Sequence, residues 1–215
     1  MTPGPRRDSV RNRERLVTAA REVFAEHGFG ATLDDIALRA GLGTGTAYRH
    51  FPNKHAIAAE VLREATEQIV VDAEEALSID DPWDGLVQFF ERTAARQAAD
   101  RGLYETLTGQ GDYDEQARIW PRIVASVTEL FDRAQRAGAI RKDVVPQDVA
   151  AIFAMLGPAF AMSRTIDPEL WRRYLALMLD ALRVTDRPPL PVGPPPAEAL
   201  DAILQSSKSL RSGKG

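Results

Sequence analysis

Two short helical segments joined by a glycine-marked turn, within residues 29–54, constrain the fold of this chain more than any other feature. Thr32 is a favourable N-cap residue, and Asp35 three positions later gives a weak form of the capping box. The apolar stripe of the first helix follows at helical spacing and consists of Leu33, Ile36, Ala37 and Ala40. Gly41 ends this helix, and a second one is predicted over about residues 44–51, before a proline.

Helical periodicity continues along the rest of the chain, with no useful strand-like alternation and no internal repeat. It predicts an all-α fold of about nine helices, over about residues 9–27, 33–40, 44–51, 53–77, 81–99, 103–107, 113–137, 146–165 and 168–183. Six prolines between residues 185 and 196 predict an extended linker or a mobile tail instead of packed structure.

Composition excludes several classes of protein. The chain has 215 residues, 44% hydrophobic and 27% charged, as in ordinary soluble globular proteins. It has no apolar run of 18 residues, so no membrane span is expected, and residues 1–9 do not resemble a signal peptide. Zero Cys excludes disulfides and thiolate metal sites, and fits the cytoplasm as the expected location.

The charge of the chain is unevenly distributed. The formal net charge is −4, but residues 1–54 contain nine Lys and Arg against six Asp and Glu, whereas residues 55–215 contain 18 against 25. A basic head on an acidic body is typical of a local nucleic-acid-binding module. An imbalance of this size over 54 residues also arises by chance, so charge alone leaves the question open.

The second short helix carries side chains suited to binding DNA. Ala47 and Phe51, four residues apart, are expected to pack inward. The candidate DNA-contacting residues of this helix are Thr44, Gly45, Thr46, Tyr48, Arg49 and His50. Hydroxyls can bind phosphates, and an arginine can reach a guanine edge or a phosphate. A merely solvated surface helix can show the same side chains, so spacing alone leaves both interpretations open.

Lys54 and Thr32 are two further candidate phosphate contacts, each at a helix N-terminus. Lys54 lies in the first turn of a long predicted helix, where a cation opposes the helix dipole. A DNA phosphate at that helix end would resolve the conflict, because helix N-termini bind anions.

Residues 9–60 resemble the DNA-binding domain of the TetR family of bacterial transcriptional regulators. The resemblance rests on Phe24–Phe29, Thr32, Ile36–Ala37, Ala40–Leu42, Gly45–Phe51 and Asn53–Lys54. His55 departs from the family at a position that is often acidic, and the Pro-rich tail is longer than usual. The implied domains are a disordered basic N-terminus (1–8), a helix-turn-helix domain (9–54), a helical ligand-binding and dimerisation domain (55–184) and a partly disordered tail (185–215).

The resemblance implies a homodimeric regulator, commonly a repressor, that binds a palindromic operator in double-stranded DNA. The eighth and ninth helices of two subunits would form a four-helix bundle. The candidate interface residues are Ala150, Ala154, Ala161, Trp171, Tyr174 and Met178. Packing within one subunit explains these apolar stripes equally well.

Members of the family commonly release DNA when a small molecule binds between the fourth and eighth helices. The candidate pocket residues for such an unknown hydrophobic effector are Trp83, Phe89, Phe90, Tyr104, Trp120, Phe153, Met155 and Phe160. Gly157-Pro158 is expected to leave helix carbonyls unpaired and free for a ligand or water. Aromatic stripes are also ordinary core, and a protein partner could control the body instead of a small molecule.

An enzyme is not expected. The three histidines lack metal-ligand spacing, and the chain has neither a phosphate-binding loop nor a nucleophile elbow. No cofactor and no metal ion are therefore predicted.

Overall fold

The computed structural model describes residues 5–107, 114–184 and 188–194, without the side chains of residues 5–7, 62, 106–107 and 114–120. Over these ranges the chain forms nine α-helices and no β-strand, which confirms the predicted all-α fold. A 3-10 turn, Gly28–Gly30, follows the first helix. The helices are α1 (Pro5–His27), α2 (Leu33–Arg39), α3 (Thr44–His50), α4 (Lys54–Leu77), α5 (Pro82–Ala99), α6 (Arg101–Leu107), α7 (Asp114–Arg136), α8 (Asp148–Thr165) and α9 (Leu170–Leu182).

Polar side chains fix the starts of three helices. The Thr32 hydroxyl accepts from Asp35 N at 3.2 Å while the Asp35 carboxylate accepts from Thr32 N at 2.8 Å, so the capping box of α2 is complete. Asn53 caps α4 by accepting from Ala56 N at 3.0 Å. Asp81 caps α5, directly before a proline in its first turn.

Prolines are accommodated in two helices, at the start of α1 and inside α7. α1 begins at Pro5 and not at residue 9, because a proline is well suited to the first helical turn and Asp8 there favours the helix dipole. Residues 5–8 are therefore helical and not a disordered terminus. α7 runs through Pro121 without a break. Pro121 lies at an exposed position of the helix.

Two separate hydrophobic cores divide the described chain into a head and a body. The head core is formed by α1 to α3 and the start of α4, ending with Ile57, Ala58 and Val61. The body core begins with Ile69 of the same helix and continues through α5 to α9. The boundary between the cores therefore lies inside α4, between Val61 and Ile69, about two to four turns after the predicted boundary at residue 54.

The beginning of the Pro-rich segment is attached to the body. Leu190 N donates to the Asp143 carboxylate at 2.7 Å, and the Arg141 guanidinium pairs with the same carboxylate at 2.6 Å. The guanidinium and this N–H hold the pKa of Asp143 well below its usual range. Leu190 is thus held against the loop before α8, in a segment for which the sequence predicts an extended linker or a mobile tail.

Candidate nucleic-acid interface

Helix α3 presents one apolar side to the head core and one polar side to solvent. Ala47 is fully buried and Phe51, directly after the helix, is 3% exposed, as their spacing predicts. Tyr48 is 51% exposed, although it is a large aromatic residue that a core could use. The structure places Thr44, Gly45 and Arg49 in exposed positions, and Thr46 and His50 in half-buried ones.

The polar side of α3 lies in a stretch without carboxylates. From Ile36 to Ala59 the sequence contains no Asp or Glu, while it contains two Arg, one Lys and two His. Arg49 donates to the Thr46 hydroxyl at 3.0 Å and is not held by an acid. Arg39 is neutralised by Glu22 and Glu26 of α1, whereas Arg49 has no such ion pair among the described residues. An unneutralised cation on an exposed helix favours contact with phosphates.

Contacts from α1 hold the α2–α3 turn in place. Gly41 adopts a φ of +63°, a left-handed conformation that glycine adopts without strain. The Arg15 guanidinium donates to Ala40 O at 2.6 Å and so satisfies a carbonyl at the end of α2. Arg13 lies over the Phe51 ring, 4.8 Å from its centre, and pairs with Glu60 of α4. α3 is therefore fixed by α1 and α4 as well as by α2.

Lys54 is engaged by the protein itself. Its ammonium donates to Phe29 O at 2.8 Å and to Ala31 O at 3.4 Å. The conflict between this cation and the dipole of α4 is thus relieved by two backbone carbonyls, and no phosphate is required to relieve it, contrary to the sequence argument. A phosphate contact of Lys54 stays a prediction, and the contacts seen are structural ones.

Thr32 has a similar position at the start of α2. Its hydroxyl donates to Asp35 Oδ2 at 2.6 Å and also accepts from Asp35 N. The hydroxyl therefore acts as both donor and acceptor within the capping box. Thr32 is exposed, and a phosphate contact through it stays a prediction.

Five of the predicted pocket residues lie together in the body core. Phe90 and Phe153 are stacked with ring centres 5.4 Å apart, and Phe89 meets Phe90 edge-on at 5.8 Å. Tyr104 meets Phe160 edge-on at 5.6 Å. The Tyr104 hydroxyl donates to Ala154 O at 3.4 Å. Pro158 has no N–H to donate to that carbonyl, so the helix itself leaves the carbonyl unpaired, as the sequence predicts. Its partner is the Tyr104 hydroxyl and not the ligand or water that was expected.

The other predicted pocket residues lie elsewhere. Met155 is 59% exposed on the outer side of α8, so the prediction that it lines an internal pocket is wrong. Trp83 lines a surface groove of about 350 Å³ between α5 and α9, with the Arg183 guanidinium 4.2 Å from its ring centre. Trp120 belongs to α7, but its side chain lies outside the described residues.

The predicted dimer residues divide between two sides of α8 and α9. Ala154 and Ala161 are exposed, and Ala150, Tyr174 and Met178 are half-buried. Trp171 is 3% exposed and meets Phe160 edge-on, so it belongs to the core of one subunit and its assignment to the interface is corrected. Two further apolar residues of these helices are each 59% exposed: Met155, which was predicted for the pocket, and Leu177, which was not among the candidate interface residues.

Two polar residues of the body were also missed. Thr93 and Gln97 are 3% and 1% exposed, and neither Thr93 Oγ1 nor Gln97 Oε1 has a hydrogen-bond partner among the described residues. Their position on the apolar stripe of α5 could have identified them from the sequence.

Glu105 of α6 was missed as well, and its carboxylate accepts from Phe29 N at 2.9 Å. No local pattern predicts that contact.

The described residues show neither a membrane-spanning helix nor a metal-binding cluster. None of the helices over the described ranges is long and apolar enough to cross a membrane. The described side chains also include no group of three His, Cys, Asp or Glu residues that could hold a metal ion.

Comparison with known proteins places both parts of the chain in one family. Residues 16–61 match the bacterial regulatory proteins of the tetR family, and residues 81–184 match the SbtR-like transcriptional regulator C-terminal domain. The transcriptional regulatory protein RaaS of Mycobacterium tuberculosis is 27% identical over 66% of each chain, and SrpR of Pseudomonas putida is 32% identical over 54% of each. The chain thus spans about half to two thirds of these relatives. A TetR regulator structure from Mycobacterium vanbaalenii is 33% identical, with a TM-score of 0.54, and covers 84% of this chain and 100% of its own.

Proposed function

Because this chain belongs to the TetR family of helix-turn-helix transcriptional regulators, which bind DNA and are not enzymes, we propose that it is a homodimeric repressor. It binds a palindromic operator and leaves it when a small hydrophobic effector binds the body. The observation that carries the proposal is the outward side of α3, where Tyr48 and Arg49 are exposed in a stretch without a carboxylate.

The recognition helix is α3, and it enters the major groove with its N-terminal end foremost. Gly43 and Gly45 have no side chain to hold the backbone away from DNA, and Cβ atoms there would meet no neighbouring atom within 4 Å. Tyr48 and Thr44 bind phosphates, and Arg49 contacts a base edge or a phosphate. Two such helices in a dimer require half-sites about 34 Å apart, or a longer spacing in phase with the double helix.

The dimer forms through the outer sides of α8 and α9. Ala154, Met155 and Ala161 of α8 and Leu177 of α9 are exposed and apolar, and they lie opposite the buried stripes of their helices. Exposed apolar residues grouped on adjacent helices favour an interface. Leu177→Asp is expected to yield a monomer in analytical ultracentrifugation, whereas Val10→Asp, a control at an equally exposed residue of α1, is expected to leave the dimer intact.

The route from effector to operator passes through α6. Tyr104 of this helix contacts α8, and the next residue, Glu105, contacts the turn that ends α1. A displacement of α8 or α6 by a bound molecule therefore reaches the head through adjacent residues. An effector that prefers the DNA-free state by about 1–3 kcal/mol changes operator affinity 5- to 150-fold.

Selection of bound sequences from a random DNA pool tests the proposal first. We expect a palindromic site with in-phase half-sites, and recovery of non-palindromic sequences would contradict the homodimeric arrangement. A gel shift on the selected operator with small apolar molecules then tests release. A compound that raises the melting temperature without weakening operator binding would contradict ligand-controlled release.

A further inference from the structure

Two buried polar atoms in the body are left without partners. Thr93 Oγ1 and Gln97 Oε1 have no hydrogen bond, although their residues are 3% and 1% exposed. An unpaired buried polar group is destabilising, because it loses its hydrogen bonds to water and gains none from the protein. The other buried polar residues of the described chain differ in this respect. The Thr66 hydroxyl donates to Arg63 O, the Ser163 hydroxyl accepts from Trp171 N, and Asp72 pairs with Arg96.

The two atoms share one side of α5. Phe90, Thr93 and Gln97 lie within about 60° of one another around the helix axis, because successive residues of an α-helix are rotated by about 100°. Phe90 stacks on Phe153 of α8, and Arg164 of α8 donates to Ala98 O of α5 at 3.5 Å. Thr93 and Gln97 lie between these two contacts, on the side that faces α8.

The stretch of α8 that packs against this part of α5 is apolar and aromatic. The stretch of α8 between Phe153 and Arg164 includes Phe160, which is fully buried, and Gly157. A Cβ atom at Gly157 would lie 1.9 Å from the Tyr104 hydroxyl, so the backbone of α8 is closely approached there. A molecule between α5 and α8 would therefore meet aromatic rings such as Phe90, Phe153 and Phe160 together with two polar atoms of α5, the usual composition of a small-molecule site.

The charges of this region favour an uncharged molecule. Among the described side chains that are buried, the charged one is Asp72, and it already pairs with Arg96 at 2.7 Å and with Arg92 at 3.7 Å. A charged ligand would lack a buried counter-ion among these side chains, which makes its transfer from water unfavourable.

We propose that Thr93 and Gln97 form the polar anchor of the effector site, and that the effector is an uncharged, mainly apolar molecule with a hydroxyl group. The hydroxyl donates to Gln97 Oε1 and accepts from the Thr93 hydroxyl, so one group satisfies both unpaired atoms. This inference rests on the proposed function, because it assumes that the body binds an effector.

The site is closed in this structure. The two oxygen atoms are sealed from solvent, so an effector enters only when α5 and α8 separate locally. Such an opening is favoured by the same two atoms, because separation lets water or a ligand satisfy them.

Titration calorimetry with four related probes tests the anchor on the full-length protein. 2-Naphthol donates and accepts, 2-methoxynaphthalene only accepts, naphthalene does neither, and 2-naphthoate is charged. We expect 2-naphthol to bind about 5-fold more tightly than naphthalene, the ratio typical of one net neutral hydrogen bond. 2-Methoxynaphthalene should fall between the two, and 2-naphthoate should bind at least about 10-fold more weakly than 2-naphthol because its charge lacks a buried partner.

The double variant Thr93→Val/Gln97→Leu identifies the atoms responsible. It should reduce the preference for 2-naphthol over naphthalene to about 1 and raise the melting temperature of the ligand-free protein, because it removes two unpaired polar groups. Thr66→Val is the matched control, since this buried hydroxyl already has a partner, and it should leave the preference unchanged.

Three results would overturn the anchor: no binding of 2-naphthol up to its solubility limit, a preference that persists in the double variant, or a lower melting temperature of that variant. A gel shift separates this inference from the proposed function. If 2-naphthol binds through Thr93 and Gln97 but the operator stays bound, the anchor stands and ligand-controlled release fails. If 2-naphthol releases the operator equally from the wild type and from the double variant, ligand-controlled release is supported, but Thr93 and Gln97 are not the anchor.

Discussion

The carboxylate of Glu105 accepts a hydrogen bond from the backbone N–H of Phe29 at 2.9 Å, although the two residues are 76 positions apart in the chain. Arg101 Nε donates to the other carboxylate oxygen at 2.7 Å and orients the group. Gly28 has a φ of +64°, and a Cβ atom there would lie 2.5 Å from Glu105 Oε2. The head and body thus meet where the Glu105 carboxylate occupies the space that a side chain at residue 28 would need.

Gly28→Ala should destabilise the protein for two separable reasons. The left-handed backbone conformation alone costs about 1–2 kcal/mol for a residue with a Cβ atom, and the clash with Glu105 adds to it. In a Glu105→Ala background only the backbone cost remains, so the effect of Gly28→Ala on the free energy of unfolding should be smaller there. Urea unfolding of the four proteins measures the coupling. Gly30→Ala is the control, because a Cβ atom at Gly30 meets no atom within 4 Å. If the effects of Gly28→Ala and Glu105→Ala on the free energy of unfolding are strictly additive, there is no clash between the two side chains.

Tyr48→Ala should abolish operator binding while preserving the fold. The side chain is 51% exposed, so its removal leaves no buried cavity. Gel shifts measure the loss of binding, and thermal unfolding followed by circular dichroism should show a melting temperature close to that of the wild type. Tyr48→Phe separates the ring from the hydroxyl. An unfolded Tyr48→Ala protein would show that the ring is part of the core.

Lys54→Ala and Arg49→Ala should have different effects on the stability of the protein. Lys54 donates to two carbonyls of the turn after α1, so its loss should lower the free energy of unfolding by about 1–3 kcal/mol. Arg49 is exposed and makes no such contact, so its loss should leave stability unchanged.

The salt dependence of operator affinity adds a second measurement. If Arg49 binds a phosphate, the slope of log K against log salt should fall by about one unit in Arg49→Ala. The same fall in Lys54→Ala would assign a phosphate to Lys54 in addition to its carbonyls. An unchanged slope for Arg49→Ala would show that Arg49 does not bind a phosphate, and would favour contact with a base edge instead.

Acid should weaken the start of α2 through Asp35. Hydrogen bonds from the Thr32 side chain and backbone lower the pKa of Asp35 in the folded protein. The carboxylate therefore stabilises the fold above its unfolded pKa of about 3.9, and this stabilisation is lost as the pH falls through the lower folded pKa. Asp35→Asn does not titrate. The stability difference between wild type and Asp35→Asn in urea should therefore be largest near neutral pH and shrink in acid; a difference that is independent of pH would exclude this role.

The sequence predicts the helices of this protein well because the signals that start and end them are local. Thr32, Asn53 and Asp81 each cap a helix through atoms two or three residues away, and glycine ends α2. The side of α3 that faces solvent also followed from the spacing of Ala47 and Phe51, whose burial matches the prediction. Such features need only the geometry of one helix.

Contacts between distant helices were not predictable in the same way. Trp171 and Met155 both lie on apolar stripes, and only the packing of α8 on α9 decides that one is buried and the other exposed. Similarly, the first-turn position of Lys54 indicated a need for an electrostatic partner, but it did not indicate that Phe29 O supplies one. These choices depend on which surfaces meet after folding.

Helix α4 belongs to both hydrophobic cores, and this has a mechanical consequence. It is 24 residues long, or about 36 Å at 1.5 Å per residue, and we expect it to move as a stiff lever between body and head. Rotating such a lever by only about 5° about its body end moves the other end by about 3 Å, close to the 3.4 Å rise of one base pair. A rearrangement of the body too small to disturb its packing is therefore sufficient to put a recognition helix out of register with its half-site.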